Sequence, residues 1–239
     1  MSNHLKRVRN FVSRVRGSLN AGGKTQVLVL GDSHAEVFTQ AGERFPNHYF
    51  IVVSVGGATI SGLSNPNSKT QALKMFEDGL DRHGGDICLT LLGEVDTGFV
   101  IWYRAERGGT TVEEAFQKAV ENYRNLLSRI SYKRSVICIS APLPTIRDDQ
   151  DWGDVANERK EVRATQLERT RLTVRFNSVM EQICREEGYG NINLDSQSLS
   201  PDGLVRETLM NADPNDHHYD NKAYLDLVTT ANFEALVRR

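Results

Sequence analysis

The stretch Gln26-Val27-Leu28-Val29-Leu30 ends abruptly at Gly31-Asp32-Ser33, and it constrains this 239-residue chain more than any other. The run is short, rich in β-branched residues and apolar on both faces. That pattern predicts a parallel strand buried on both sides, because a half-exposed strand would alternate polar and apolar residues. Ala35-Glu36-Val37-Phe38 starts a helix-like pattern immediately afterwards. Ser33 therefore falls at the carboxyl end of a strand and the opening of a helix, where α/β sheets place ligands and where backbone N–H groups hold negative charge. Gly-Asp-Ser is also an ordinary turn and N-cap sequence, so position alone does not make Ser33 reactive.

The pattern recurs along the chain. His48 to Val55 reads as a second strand running into Gly56-Gly57, and Asp86 to Leu92 as a third running into Gly93-Glu94-Val95-Asp96. Ser135 to Ser140 reads as a fourth, stopped by Ala141-Pro142, and Asn191 to Leu194 as a short fifth. Helical periodicity covers 112–130, and a long charged helix is expected from roughly Glu158 to Glu187. Its arginines, Arg159, Arg163, Arg169, Arg171 and Arg175, fall on several faces among glutamates and read as a solvated surface. Phe99 to Tyr103 reads as core, with a pocket wall as the rival. The polar, aperiodic segment 145–157 reads as a rim loop. The expected fold is α/β, a flavodoxin-like three-layer α/β/α sandwich on a mainly parallel five-stranded sheet.

Three strand ends thus carry Gly31-Asp32-Ser33-His34, Gly56-Gly57-Ala58-Thr59 and Gly93-Glu94-Val95-Asp96, and Asp213-Pro214-Asn215-Asp216-His217-His218 precedes the last helix. In this order the four blocks resemble those of the SGNH (GDSL-like) hydrolases, over most of the chain after residue 25. The resemblance implies Ser33 as nucleophile, Gly57 as a backbone oxyanion donor, and a substrate-binding or oxyanion role around Gly93, Glu94, Asp96 and His217. Val95 stands where the family has an oxyanion asparagine. The family's fourth block reads Asp-x-x-His. A six-residue count back from Tyr224 selects His218 as the base, which leaves Asn215 at the orienting position. Asp213 and Asp216 stay open as alternatives to Asn215.

Composition narrows the setting. Residues 1–24 carry six basic residues and no acid, so a +6 arm precedes a body of −8. Within the arm, Leu5, Val8, Phe11, Val12, Val15 and Leu19 recur at helical steps, giving a basic amphipathic helix over 4–19. Residues 1–24 are expected to be this helix and its linker, and 25–239 a single hydrolase-like domain. The helix is read as packing on the core or a partner chain, with an anionic membrane surface as the rival; nucleic acid is not expected. No run reaches the ~18 apolar residues of a membrane span. Cys88, Cys138 and Cys184 show neither pairing nor metal spacing, which points to a reducing, cytoplasmic setting. Neither metal nor cofactor is expected, because His217 and His218 diverge and no Cys or third His accompanies them.

The expected activity is hydrolysis of an O-acyl ester, an O-acetyl group on a glycan first among them, through an acyl-Ser33 intermediate. Transfer to a second hydroxyl shares every step but the acceptor. Two rivals stand beside this reading. One is a catalytically weak glycan- or partner-binding module, which Val95 favours. The other is a flavodoxin-like binding domain, against which stands the lack of any nucleotide-phosphate loop.

Overall fold

The computed structural model describes residues 23–148, 162–231 and 233; the basic helix expected over 4–19 and most of the 145–157 loop lie outside them. The described residues form a five-stranded sheet in the order β2-β1-β3-β4-β5, with every pairing parallel. The strands are β1 (Thr25–Gly31), β2 (His48–Ser54), β3 (Ile87–Leu91), β4 (Ser135–Ile139) and β5 (Gly190–Ile192). The helices that position the site are α1 (Ser33–Glu43), wound as 3₁₀, then α2 (Ile60–Leu63), α3 (Ala72–Arg82), α4 (Ile101–Glu106), α5 (Val112–Ser131), α6 (Gln166–Glu187), α7 (Asp195–Ser198) and α8 (Asn221–Thr230).

The pleat of β1 shows why a run apolar on both faces belongs at the centre. Leu28 and Leu30 enter one apolar cluster with Phe76, Phe116, Tyr123 and Phe176, beneath α3, α5 and α6. Val27 and Val29 enter the opposite cluster with Phe38, Phe45, Leu225 and Val228, beneath α1 and α8. Alternate side chains thus fill two cores, which is the demand a central parallel strand makes on its sequence.

One helix departs from expectation. α6 begins at Gln166, eight residues later than the charge pattern suggests. The Thr165 hydroxyl accepts from the Glu168 N–H while Glu168 reaches back to the Thr165 N–H, so a capping box sets the start. Its arginines are not uniformly solvated either. Arg169 is 5% exposed and donates to the Ile146 carbonyl, whereas Arg175 stays exposed as expected, in a bidentate pair with Glu113 over the Phe116 ring. Of the apolar cluster after β3, Ile101 is buried and Trp102 packs on the core with its indole N–H on the Thr97 carbonyl. No helix among the described residues is long and apolar enough to cross a membrane.

Candidate active site

The parallel register brings the loops after β1, β2 and β3 to one edge of the sheet. Gly31 lies opposite Ser54 on one side and Leu91 on the other. A Cβ on Gly31 would stand 2.5 Å from the Leu91 carbonyl oxygen and 2.7 Å from Ala35 Cβ. Only glycine lets the chain leave the strand so close to β3 and turn at once into α1. Asp32 then caps α1, its Oδ1 accepting from the His34 N–H at 2.9 Å, and Ser33 opens the helix half-buried. The Ser54 hydroxyl donates to the Asp32 carbonyl and ties the second block to the first.

The second block turns through Val55-Gly56-Gly57-Ala58, closed by the Ala58 N–H on the Val55 carbonyl. Gly57 holds φ at +68°, which a turn of this kind asks of its third residue. The third block sits deeper than a binding wall. Gly93, Glu94 and Asp96 are buried, and Val95, at the family's asparagine position, is the half-exposed member. Asp96 accepts from the Ile60 N–H at 2.6 Å and the Ser61 N–H at 2.9 Å, so it fastens the second loop to the third. Burial pushes its pKa up while these bonds pull it down. Glu94 and Asp96, expected around the substrate or oxyanion, are both buried, and Asp96 positions backbone.

The fourth block is held from three sides. Tyr219 is buried and its hydroxyl accepts from the Leu143 N–H at 2.7 Å. The Thr145 hydroxyl donates to the His217 carbonyl, and Asp220 caps α8 through the Ala223 N–H. Between these anchors His218 places Nε2 2.8 Å from Ser33 Oγ and Nδ1 2.6 Å from Asp216 Oδ1. With a carboxylate on Nδ1, the ring carries its proton there and presents a basic Nε2 to the hydroxyl. Burial alone would raise the Asp216 carboxyl, but bonds from the His218 N–H and ring, with the charges of both histidines, hold it below its ordinary value. Asp216 therefore stays ionised.

Of the three groups weighed as the histidine's partner, Asp216 makes the contact. Asp213 and Asn215 are exposed and bonded to each other, with the Asn215 N–H and amide both on Asp213 Oδ1. The reason is local. Asp216 reaches the ring across one intervening residue, in a turn closed by the His218 N–H on Oδ1 at 2.9 Å, so the three-residue spacing of the family motif is not used.

His34 was not foreseen as a neighbour of the fourth block. It is 4% exposed, its Nδ1 lies 3.0 Å from Asp32 Oδ1, and its ring centroid stands 4.6 Å from that of His218 and 5.8 Å from that of His217. The expectation that no third histidine accompanies the pair is thereby corrected. Adjacency of Ser33 and His34 in sequence was the available signal, because whatever brings Ser33 to His218 also brings His34.

No family model matches the chain, and no curated protein matches it by sequence. Solved structures do match over nearly the whole length. A GDSL-like lipase from Bacteroides thetaiotaomicron is 14% identical with a TM-score of 0.57, covering 99% of this chain and 98% of its own. An acetyl xylan esterase, also 14% identical, has a TM-score of 0.54 over 88% and 99% of the two chains. An extracellular lipase from Streptomyces rimosus is 13% identical with a TM-score of 0.53 over 87% and 100%. The chain has the three-layer α/β/α fold of the SGNH (GDSL-like) hydrolases.

Proposed function

We propose that the chain is a serine ester hydrolase that works through an acyl-enzyme on Ser33. The observation that carries this reading is the continuous relay from Asp216 Oδ1 through the His218 ring to Ser33 Oγ. Ser33 Oγ attacks the ester carbonyl as its proton passes to His218 Nε2, and the N–H groups of Ser33 and Gly57 hold the oxyanion. The imidazolium returns the proton to the departing alkoxide as the C–O bond breaks. A water activated by His218 then releases the acid.

The acyl group we favour is acetyl, carried on a glycan hydroxyl; an acetyl xylan esterase among the structures sharing this fold supports it. Transfer to a second hydroxyl in place of water uses the same groups. A slow or purely binding role is favoured by one observation, the side chain of Val95 where a third oxyanion donor is expected. We place the protein in the cytoplasm, where its three unpaired thiols would stay reduced, with residues 4–19 offered to a partner chain or an anionic membrane.

The test is hydrolysis of p-nitrophenyl acetate and of acetylated oligosaccharides by wild type and Ser33→Ala. Turnover by wild type that vanishes in the folded variant supports the reading. Equal background rates in both would leave only the binding role.

A further inference from the structure

We propose that His34, His217 and His218 together bind one divalent transition-metal ion of the zinc type, and that the bound ion switches the ester site off. One ring nitrogen from each of the three lies within 4.8 Å of the other two. Imidazole nitrogen suits zinc, copper and nickel, and three such ligands with an open fourth position form a familiar donor set.

A second observation points the same way. Asp32-Ser33-His34 and Asp216-His217-His218 fold into the same local unit. In each, one carboxylate oxygen takes both the backbone N–H and the Nδ1 of the histidine two residues later. Each carboxylate thus holds its histidine with the proton on Nδ1, so Nε2 is the basic nitrogen. Carboxylates placed behind metal-bound histidines in this way fix the tautomer and strengthen the ligand. His34 is packed by the core while His217 and His218 are half-exposed, so the cluster is firm on one side and open to an arriving ion on the other.

Tetrahedral bonds of 2.0–2.1 Å bring ligand nitrogens to about 3.4 Å from one another, so nitrogens within 4.8 Å of one another have to close by at most about 1.4 Å. Rotation of the half-exposed His217 ring would supply that movement while Asp216 keeps its bond to His218. The consequence for catalysis rests on the reading of His218 as base. A metal on its Nε2 takes the lone pair that otherwise accepts the Ser33 proton, and turnover stops until the ion leaves.

The experiment is titration of full-length protein with Co²⁺, read by its visible absorption, and of Zn²⁺ in competition with a chromogenic chelator. Wild type should take up one equivalent with the intense bands of a four- or five-coordinate nitrogen site. His217→Ala should weaken uptake by more than the ~10–100-fold typical of losing an outer-shell partner, and His34→Gln should do the same. Because His34 is buried, circular dichroism accompanies that variant, and His217→Ala decides the matter if it fails to fold. Ser33→Ala should keep the metal while lacking any turnover, so binding is read independently of the proposed catalysis. Wild type that shows no bands, or His217→Ala that binds as tightly as wild type, overturns the proposal. If metal binds while wild type has no esterase activity to inhibit, the metal site stands and the inhibitory role falls.

Discussion

Asp216 and His218 are joined twice through one oxygen: Oδ1 of Asp216 accepts the His218 backbone N–H at 2.9 Å and lies 2.6 Å from the Nδ1 of its ring. The carboxylate therefore sets both the turn that carries the histidine and the tautomer the histidine adopts. Asp216→Asn should preserve most of the turn while removing the charge that stabilises an imidazolium. Turnover of p-nitrophenyl acetate should fall by ~10²–10⁴, whereas Asp213→Ala and Asn215→Ala stay near wild type. Comparable losses in all three variants would mean that the whole loop, and not Asp216, orients the ring.

His218→Ala should cost ~10²–10⁴ in turnover, the usual contribution of a general base. His217→Ala should cost far less, since its neighbour makes the bond to Ser33. A ranking in the opposite sense would remove His218 from the base position.

Val95→Asn tests the third oxyanion donor. A missing donor typically costs ~10²–10³ in turnover, about 3–4 kcal/mol of transition-state stabilisation. Val95 is half-exposed, so a polar replacement meets no large burial penalty. The asparagine variant should remain folded and hydrolyse p-nitrophenyl acetate faster than wild type. A fast wild type that the substitution slows would show that another group already fills the position.

Asp195 gives a prediction about stability. Burial pushes its carboxyl from 3.8 up to about 6, opposed by the Asn177 amide at 2.8 Å and helped by the charge of Glu181. An acid whose folded pKa is raised binds its proton more tightly when folded. Its favourable contribution is complete below about pH 4 and lost as pH rises through about 6, on the order of 3 kcal/mol. Asp195→Asn keeps an acceptor for Asn177 and does not titrate. Its stability relative to wild type, measured by chemical denaturation, should therefore rise by that amount between pH 4 and 7. A difference that does not change with pH would contradict the assignment.

The sheet was legible because burial on two faces leaves a plain mark. Val27 to Leu30 has no polar residue to mislead, and the glycines at the strand exits punctuate it. Ser33 and His218 were legible because each sits at an element boundary with a recognisable neighbour, Gly31 for one and the apolar Tyr219 for the other. What was not legible depended on turns of a few residues. Asp213, Asn215 and Asp216 are all polar, all within five residues of His218, and only the fold shows which one turns back. The start of α6 was hidden because Glu158 to Glu161 favour helix as strongly as the residues after the Thr165 cap. His34 was not legible because its partners are almost two hundred residues away in sequence, and only its adjacency to Ser33 points to them.

Ser33 should behave as a nucleophile activated by His218. The most direct measurement is incubation of folded full-length protein with a fluorophosphonate, followed by peptide mass mapping. One covalent adduct should form on the peptide carrying Ser33, absent in Ser33→Ala and strongly slowed in His218→Ala. A folded wild type that stays unlabelled, or an adduct on another residue, would contradict it.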